Sequence, residues 1–271
     1  MKRNRRVTLP DGTTINMEND LLKKLNLNYL EYTNKTRAVG AHDLPALICN
    51  TRVLPDFIAL NSQPSTFHTT PLTAVGFWLY DNEFDGIHGL YNAIYYKNEK
   101  LLSKYRERYR GVKLFFTPDY SQFGDVDDIE AHYRLKKARV VGLWFVLELG
   151  AVVIPFITVP TPASVSFALD GLEDCHVVAF STKGYVDNVV EREALKQIVH
   201  LTVDTLDLRT IVVYDVCKDN AAVDDIFAYA REHGVEVVVP MNTLKARNIA
   251  KTQVVGQVRA EKAEGGEGDT R

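Results

Sequence analysis

From residue 74 onward, short apolar runs alternate with longer runs of mixed polarity. Residues 74–80, 112–117, 151–159, 176–180, 210–214 and 235–239 each read as a strand. They are apolar at nearly every position, so both faces are covered rather than one. The stretches between them, 90–110, 125–149, 163–169, 188–206 and 221–233, carry helical spacing, and 243–254 predicts a last helix. Glycines stand where helices should stop, at Gly111, Gly150, Gly171 and Gly234. Strand, helix and strand in repeated order predict parallel pairing through right-handed crossovers. Extended pieces at 46–49 and 54–60 precede the regular part, bringing the strand count to eight. The expected fold is an α/β domain, an irregular (β/α) TIM-like barrel. The alternative is an open doubly wound parallel sheet.

Residues 1–36 read as an N-terminal arm. Within it, 7–15 predicts a hairpin turning at Pro10-Asp11-Gly12, and 18–30 predicts a short amphipathic helix. Residues 37–256 form one α/β domain, and 257–271 a disordered tail. The longest apolar stretch, 140–160, has the length of a membrane span, but Glu148 and Gly150 split it. A helix end followed by a buried strand explains it better, and no membrane partner is expected.

Composition changes this picture little. Hydrophobic residues are 46% and charged residues 25%, ordinary for a globular chain. The net charge of −3 provides no global basic field for nucleic acid or membrane. Cys49, Cys175 and Cys217 are far apart and form no CxxC pair, which fits buried thiols in a reducing cytoplasm.

Parallel strands place the residues that follow them on one rim, where such sheets carry their sites. Asp81, Glu83, Asp119 and Asp215 are the candidate catalytic residues. Tyr120, Ser121, Thr158, Ser181, Thr182 and Lys183 are the candidate substrate-binding residues. Converging carboxylates would hold a magnesium or manganese ion, or divide acid and base roles. The plainer reading is that each aspartate caps a helix or closes a turn. Ser181-Thr182-Lys183-Gly184 would cradle a phosphate, although no G-x-x-x-x-G-K-[ST] loop is present. G-x-S-x-G and H-E-x-x-H are also absent.

A second patch is basic. KLLSKYRERYRGVK at 100–113 interleaves tyrosine with arginine, and RLKKAR at 134–139 echoes it. Arg106, Arg108 and Arg110 would meet phosphates while tyrosines stack on bases. The plainer reading is a solvated helix face with tyrosine stems on the core.

Four stretches carry a resemblance: GAHDLP at 40–45, GFWLYDNEF at 76–84, GVKLFFTPDYS at 111–121 and FALDGLEDCHVVAFSTKG at 167–184. Over roughly residues 38–245 the chain resembles a domain-of-unknown-function family of phages, prophages and other mobile elements. Tyr120 stands where phenylalanine is usual in that family, and TPT at 160–162 replaces a strand end bearing tryptophan. The resemblance implies a barrel-like α/β fold and a mobile-element setting, and no reaction. Two functions are thus expected to compete. One is an enzyme acting on a nucleotide or other phosphate-bearing small molecule at the rim. The other is a nucleic-acid-binding accessory protein or a protein-interaction module.

Overall fold

A computed structural model describes residues 5–8, 14–17 and 21–264, with side chains from 22 to 253. Strands β1 (Arg5–Thr8) and β2 (Thr14–Met17) pair antiparallel, with Val7 opposite Ile15. The Pro10-Asp11-Gly12 turn expected between them lies outside the described residues. The expected helix at 18–30 is instead two short ones, α1 (Leu21–Lys24) and α2 (Leu30–Thr33). Asn26, at φ 53, separates them. A small antiparallel pair follows, β3 (Ala38–Val39) and β4 (Leu44–Pro45).

The main domain then runs β5 (Phe57–Leu60), β6 (Thr73–Gly76), α3 (Leu90–Tyr95), α4 (Glu99–Arg108) and β7 (Leu114–Phe116). It continues with α5 (Asp128–Leu149), β8 (Val152–Ile154), α6 (Val165–Ala168), β9 (Val177–Ser181) and α7 (Val189–Thr205). Then come β10 (Thr210–Tyr214), α8 (Ala221–Ile226), α9 (Ala228–Glu232), β11 (Glu236–Val238), β12 (Met241–Asn242) and α10 (Thr243–Glu264).

Two parallel sheets result. One has five strands in the order β12-β5-β6-β7-β8; the other has three, β11-β10-β9. This pairing fits the open-sheet alternative, and a complete TIM barrel is not shown. Continuity fails where backbone donors run out. Pro155 stops β8 well before the expected end at 159, because proline has no N–H to give a ladder. A single parallel bridge, Phe156 to Ala179, reaches from there to β9. Pro240 likewise divides the last strand, so its first half pairs with β10 and its second with β5.

Helix ends follow local chemistry. Asp127 caps α5 by accepting from the Glu130 N–H at 2.9 Å, and Gly150 ends it at φ 61. Asn188 caps α7 in the same manner. The expected single helix at 90–110 breaks at Lys97, which adopts φ 50, and Asn98 then caps α4. The helix expected at 221–233 is divided at Phe227. Helix α10 runs on to Glu264, where the first part of a tail was expected.

Helix α5 lies against β4, β7 and β8, and α7 packs on α8 and α9. The core is aromatic. Phe115 stacks on Phe145 at 4.1 Å, and Trp78 lies flat on Tyr214 at 4.3 Å with 3° between the rings. Gly76 makes room for that tryptophan, since a Cβ there would come within 2.0 Å of the Trp78 ring. Among the described residues, no helix is long and apolar enough to cross a membrane.

Candidate functional site

The loops after β6, β7, β8 and β9 meet at one end of the sheets. One contact that ties the two sheets together there is a hydrogen bond from the Lys183 ammonium to the Trp78 carbonyl, 3.0 Å. Lys183 follows β9 and Trp78 follows β6.

The strand-end acids fall into unlike environments. Asp81 begins a short 3-10 turn, Asp81–Glu83. Its Oδ1 accepts from the Ser121 N–H at 3.1 Å and the Ser121 hydroxyl at 2.9 Å. Its Oδ2 accepts from Arg134 Nη1 at 2.7 Å, and the same Arg134 nitrogen also donates to the Ser121 carbonyl. Asp81 and Ser121 are therefore bound to each other and to α5. Glu83 is exposed and accepts from the Tyr80 N–H, closing the turn.

Asp215 is fully buried. It accepts from the Thr182 hydroxyl at 2.5 Å and from the Lys245 ammonium at 2.6 Å. Lys245 spends its other donors on the Cys217 carbonyl and Asn220 Oδ1. Every donor of that ammonium has a partner within the protein. The arrangement closes the end of β10 onto the start of α10.

Asp119 differs from both. It is partly buried, and among the described residues it makes no ion pair. Loss of water raises its carboxyl to about 7, and the nearby Asp81 charge pushes the same way. Thr158 and Lys183 pull it back only in part. Tyr185, just beyond Lys183, is raised to about 12 by burial and then by Asp119. Asp119, Thr158, Lys183 and Tyr185 thus form one neighbourhood, drawn from the ends of β7, β8 and β9.

The remaining candidates are placed as follows. Tyr120 is buried in the core, edge-on to Phe84 and under the Lys137 ammonium at 4.1 Å. The Ser181 hydroxyl accepts from the Lys183 N–H, and the Thr182 N–H goes to the Tyr214 carbonyl. Two loop N–H groups are therefore already used, and the Lys183 ammonium is the charged donor that this loop keeps for an anion. Among the described residues, no group of three or more His, Cys, Asp or Glu side chains could hold a metal ion. The expected convergence of Asp81, Asp119 and Asp215 on magnesium or manganese is not met, because Arg134 and Lys245 neutralise two of the three.

The basic patches are also engaged within the chain. Arg106 donates to Glu148 from Nε and Nη2, at 3.0 and 2.9 Å. Arg108 donates to the Asn61 carbonyl and lies over the Phe67 ring, and Arg110 pairs with Glu107. In the echoing run, Arg134 binds Asp81, Lys137 binds Asp85, and Arg139 is buried against the Ala168 carbonyl. Burial lowers the Arg139 guanidinium to about 10.

Sequence reasoning missed Arg134, Lys245, Trp78 and Tyr185. Arg134 lies 53 residues from its partner Asp81, and Lys245 lies 30 from Asp215. One local signal was available for Arg134: Glu130 stands four residues before it and accepts from its Nε at 2.8 Å.

No curated protein and no solved structure matches the chain. One family does, described as Domain of unknown function (DUF4417), and its match covers every strand-end candidate from Asp81 to Asp215 and ends before β12. A match over residues 36–236, most of the sequence, makes this chain a member of the DUF4417 family.

Proposed function

We propose that this protein is an enzyme acting on a nucleotide or another phosphate-bearing small molecule at the strand-end rim. Asp119 is its general acid and base, and Lys183 is its anion contact. The observation that carries this reading is the difference among the three aspartates. Asp81 and Asp215 are neutralised by dedicated cations, while Asp119 is held half-buried without one. A carboxyl that titrates near 7 exchanges protons readily at neutral pH, which suits acid–base work. Lys183 is fixed by one hydrogen bond to Trp78, leaving its other two N–H donors for phosphate oxygens. Asp119 then gives a proton to the leaving oxygen or takes one from the attacking hydroxyl.

The reading includes a finer fold. The bridge at Phe156–Ala179 and the shared segment from β11 to β12 would join both sheets into one irregular barrel around the Trp78–Tyr214 stack. That ring would bring all the strand ends to a common mouth. A cytoplasmic, mobile-element setting rests on the resemblance and on three free thiols.

The nucleic-acid alternative has less support, because Arg106 and Arg110 are paired with carboxylates inside the chain. The test is turnover of a panel of nucleotides and sugar phosphates, followed by phosphorus NMR, for the wild type, Asp119→Asn and Lys183→Met. Asp119→Asn should lose roughly a hundredfold or more in kcat while keeping its fold. Lys183→Met should act mainly on KM. Wild-type turnover in Asp119→Asn, or no turnover of any panel member by the wild type, overturns the reading.

A further inference from the structure

A cleft of about 570 Å³ opens between the loop at 82–89 and helix α4. Its size suits a small ligand, since such sites run from roughly 300 to 1,000 Å³. Its walls come from fixed parts. The loop is tied down by the Asp85–Lys137 ion pair at 2.6 Å, by the Asn92 amide on the Gly86 carbonyl, and by the Tyr105 hydroxyl on the His88 carbonyl. A Cβ at Gly89 would come within 2.7 Å of the Asp85 backbone, so the loop follows a close path.

Two cations face this space. Lys104 and Arg108 are four residues apart on α4 and so lie on one face. Arg108 is held in place by the Asn61 carbonyl and the Phe67 ring, whereas the Lys104 side chain is exposed. Arg106 and Arg110, the other arginines of the run, are paired elsewhere with Glu148 and Glu107. The basic stretch therefore presents a single pair of cations to the cleft rather than a continuous stripe.

Complementary groups lie opposite. Asp85 lines the cleft with both oxygens turned inward, Oδ2 on Lys137 and Oδ1 buried. The exposed Asn82 amide and the Glu83 carboxylate add further polar contacts. A bare anion would meet two carboxylates here. A molecule with a phosphate at one end and hydroxyl or amino donors at the other satisfies both walls.

We infer that this cleft binds a small phosphorylated polyol, such as a nucleoside monophosphate or a sugar phosphate. Its phosphate lies on Lys104 and Arg108, and its hydroxyls face Asn82 and Glu83. This inference is independent of the role given to Asp119, because neither cation belongs to that neighbourhood.

The experiment is calorimetric titration of the full chain with AMP, ribose 5-phosphate, adenosine and inorganic phosphate. The proteins are the wild type, Lys104→Glu, Lys104→Gln and Arg106→Ala, each checked for an unchanged melting temperature. The expected result is binding of AMP or ribose 5-phosphate by the wild type and Arg106→Ala alike. Lys104→Glu should weaken it roughly tenfold or more, and Lys104→Gln by less, as removal of one charge-assisted contact requires. Adenosine alone and inorganic phosphate alone should bind more weakly than the molecule that joins their chemistries. Equal affinity in Lys104→Glu and wild type overturns the site. So does absence of binding by every phosphorylated probe. Loss of binding in Arg106→Ala as deep as in Lys104→Glu also overturns it, because the phosphate would then follow the basic helix and not the cleft.

Discussion

Asp215 and Asp119 both follow a buried parallel strand, and both read from sequence as the same kind of residue. The protein treats them in opposite ways. Around Asp215 it gathers a threonine hydroxyl and a fully satisfied lysine, so the buried carboxylate is paired and hydrogen-bonded. Around Asp119 it supplies burial and a neighbouring carboxylate but no ion-pair partner. One arrangement is a fastening and the other is a charge held at a disadvantage. A strand end by itself therefore does not mark a functional acid; the partners brought by distant elements decide.

The sharpest test of this contrast is Asp215→Ala. It leaves the Lys245 ammonium buried, with 8% of its side chain exposed and its charge unopposed. Removing one partner of a buried pair costs about 3–5 kcal/mol. Urea unfolding should show that loss, and Asp215→Asn should recover part of it by keeping the contacts to Thr182 and Lys245. A midpoint equal to wild type in Asp215→Ala would mean that the pair fastens nothing.

Trp78 stands between the two regions. Its ring stacks on Tyr214, next to Asp215, and its carbonyl holds Lys183, next to Asp119. Gly76→Ala drives a methyl into that ring and should cost about 1–3 kcal/mol as an overpacked core. It should also shift the pH dependence of any Asp119-dependent activity, because Lys183 loses its anchor. A destabilised variant with an unchanged pH profile would separate the tryptophan from the site.

Asp119→Asn should behave in the reverse sense to Asp215→Ala. Burial raises the folded carboxyl from 3.8 to about 7. A group raised in the folded state favours folding while protonated. Its contribution is complete below pH 4 and is lost as pH rises towards 7. Asparagine stays neutral and escapes the loss. The variant should melt close to wild type near pH 4 and roughly 2–4 °C above it at pH 8. Equal melting temperatures at pH 8 would show that Asp119 carries no such strain.

Much of the scaffold was legible from the chain. Strand β10 was expected over Thr210–Tyr214 and is found there, and Gly150 ends α5 as its sequence position implies. These features depend on local pattern, apolar runs and a residue free to adopt positive φ. The break at Lys97 was harder, because a lysine at φ 50 has no compositional mark; Asn98 followed by Glu99 was the available cue. Proline at 155 and 240 also decided strand ends more sharply than hydrophobicity did. The candidate site was legible only as a set of residue types. Which acid is neutralised depends on Arg134 and Lys245, whose contacts span 53 and 30 residues. No short window of sequence contains that information.

The smallest effect belongs to the basic helix. Arg106 is partly exposed and joins α4 to Glu148 at the end of α5. A surface pair of this kind contributes about 0–1 kcal/mol, so Arg106→Ala should barely move the melting temperature. Raising the salt concentration should weaken the wild-type contribution and leave the variant unchanged. The same variant tests the competing reading of the run. If the helix served nucleic acid, Arg106→Ala would reduce oligonucleotide binding and flatten its dependence on salt. An arginine already committed to two carboxylates, Glu99 and Glu148, has to leave them before it can meet a phosphate. The expectation is therefore little change in either measurement. A steep fall in oligonucleotide binding, with stability intact, would move the functional surface from the strand-end rim to α4.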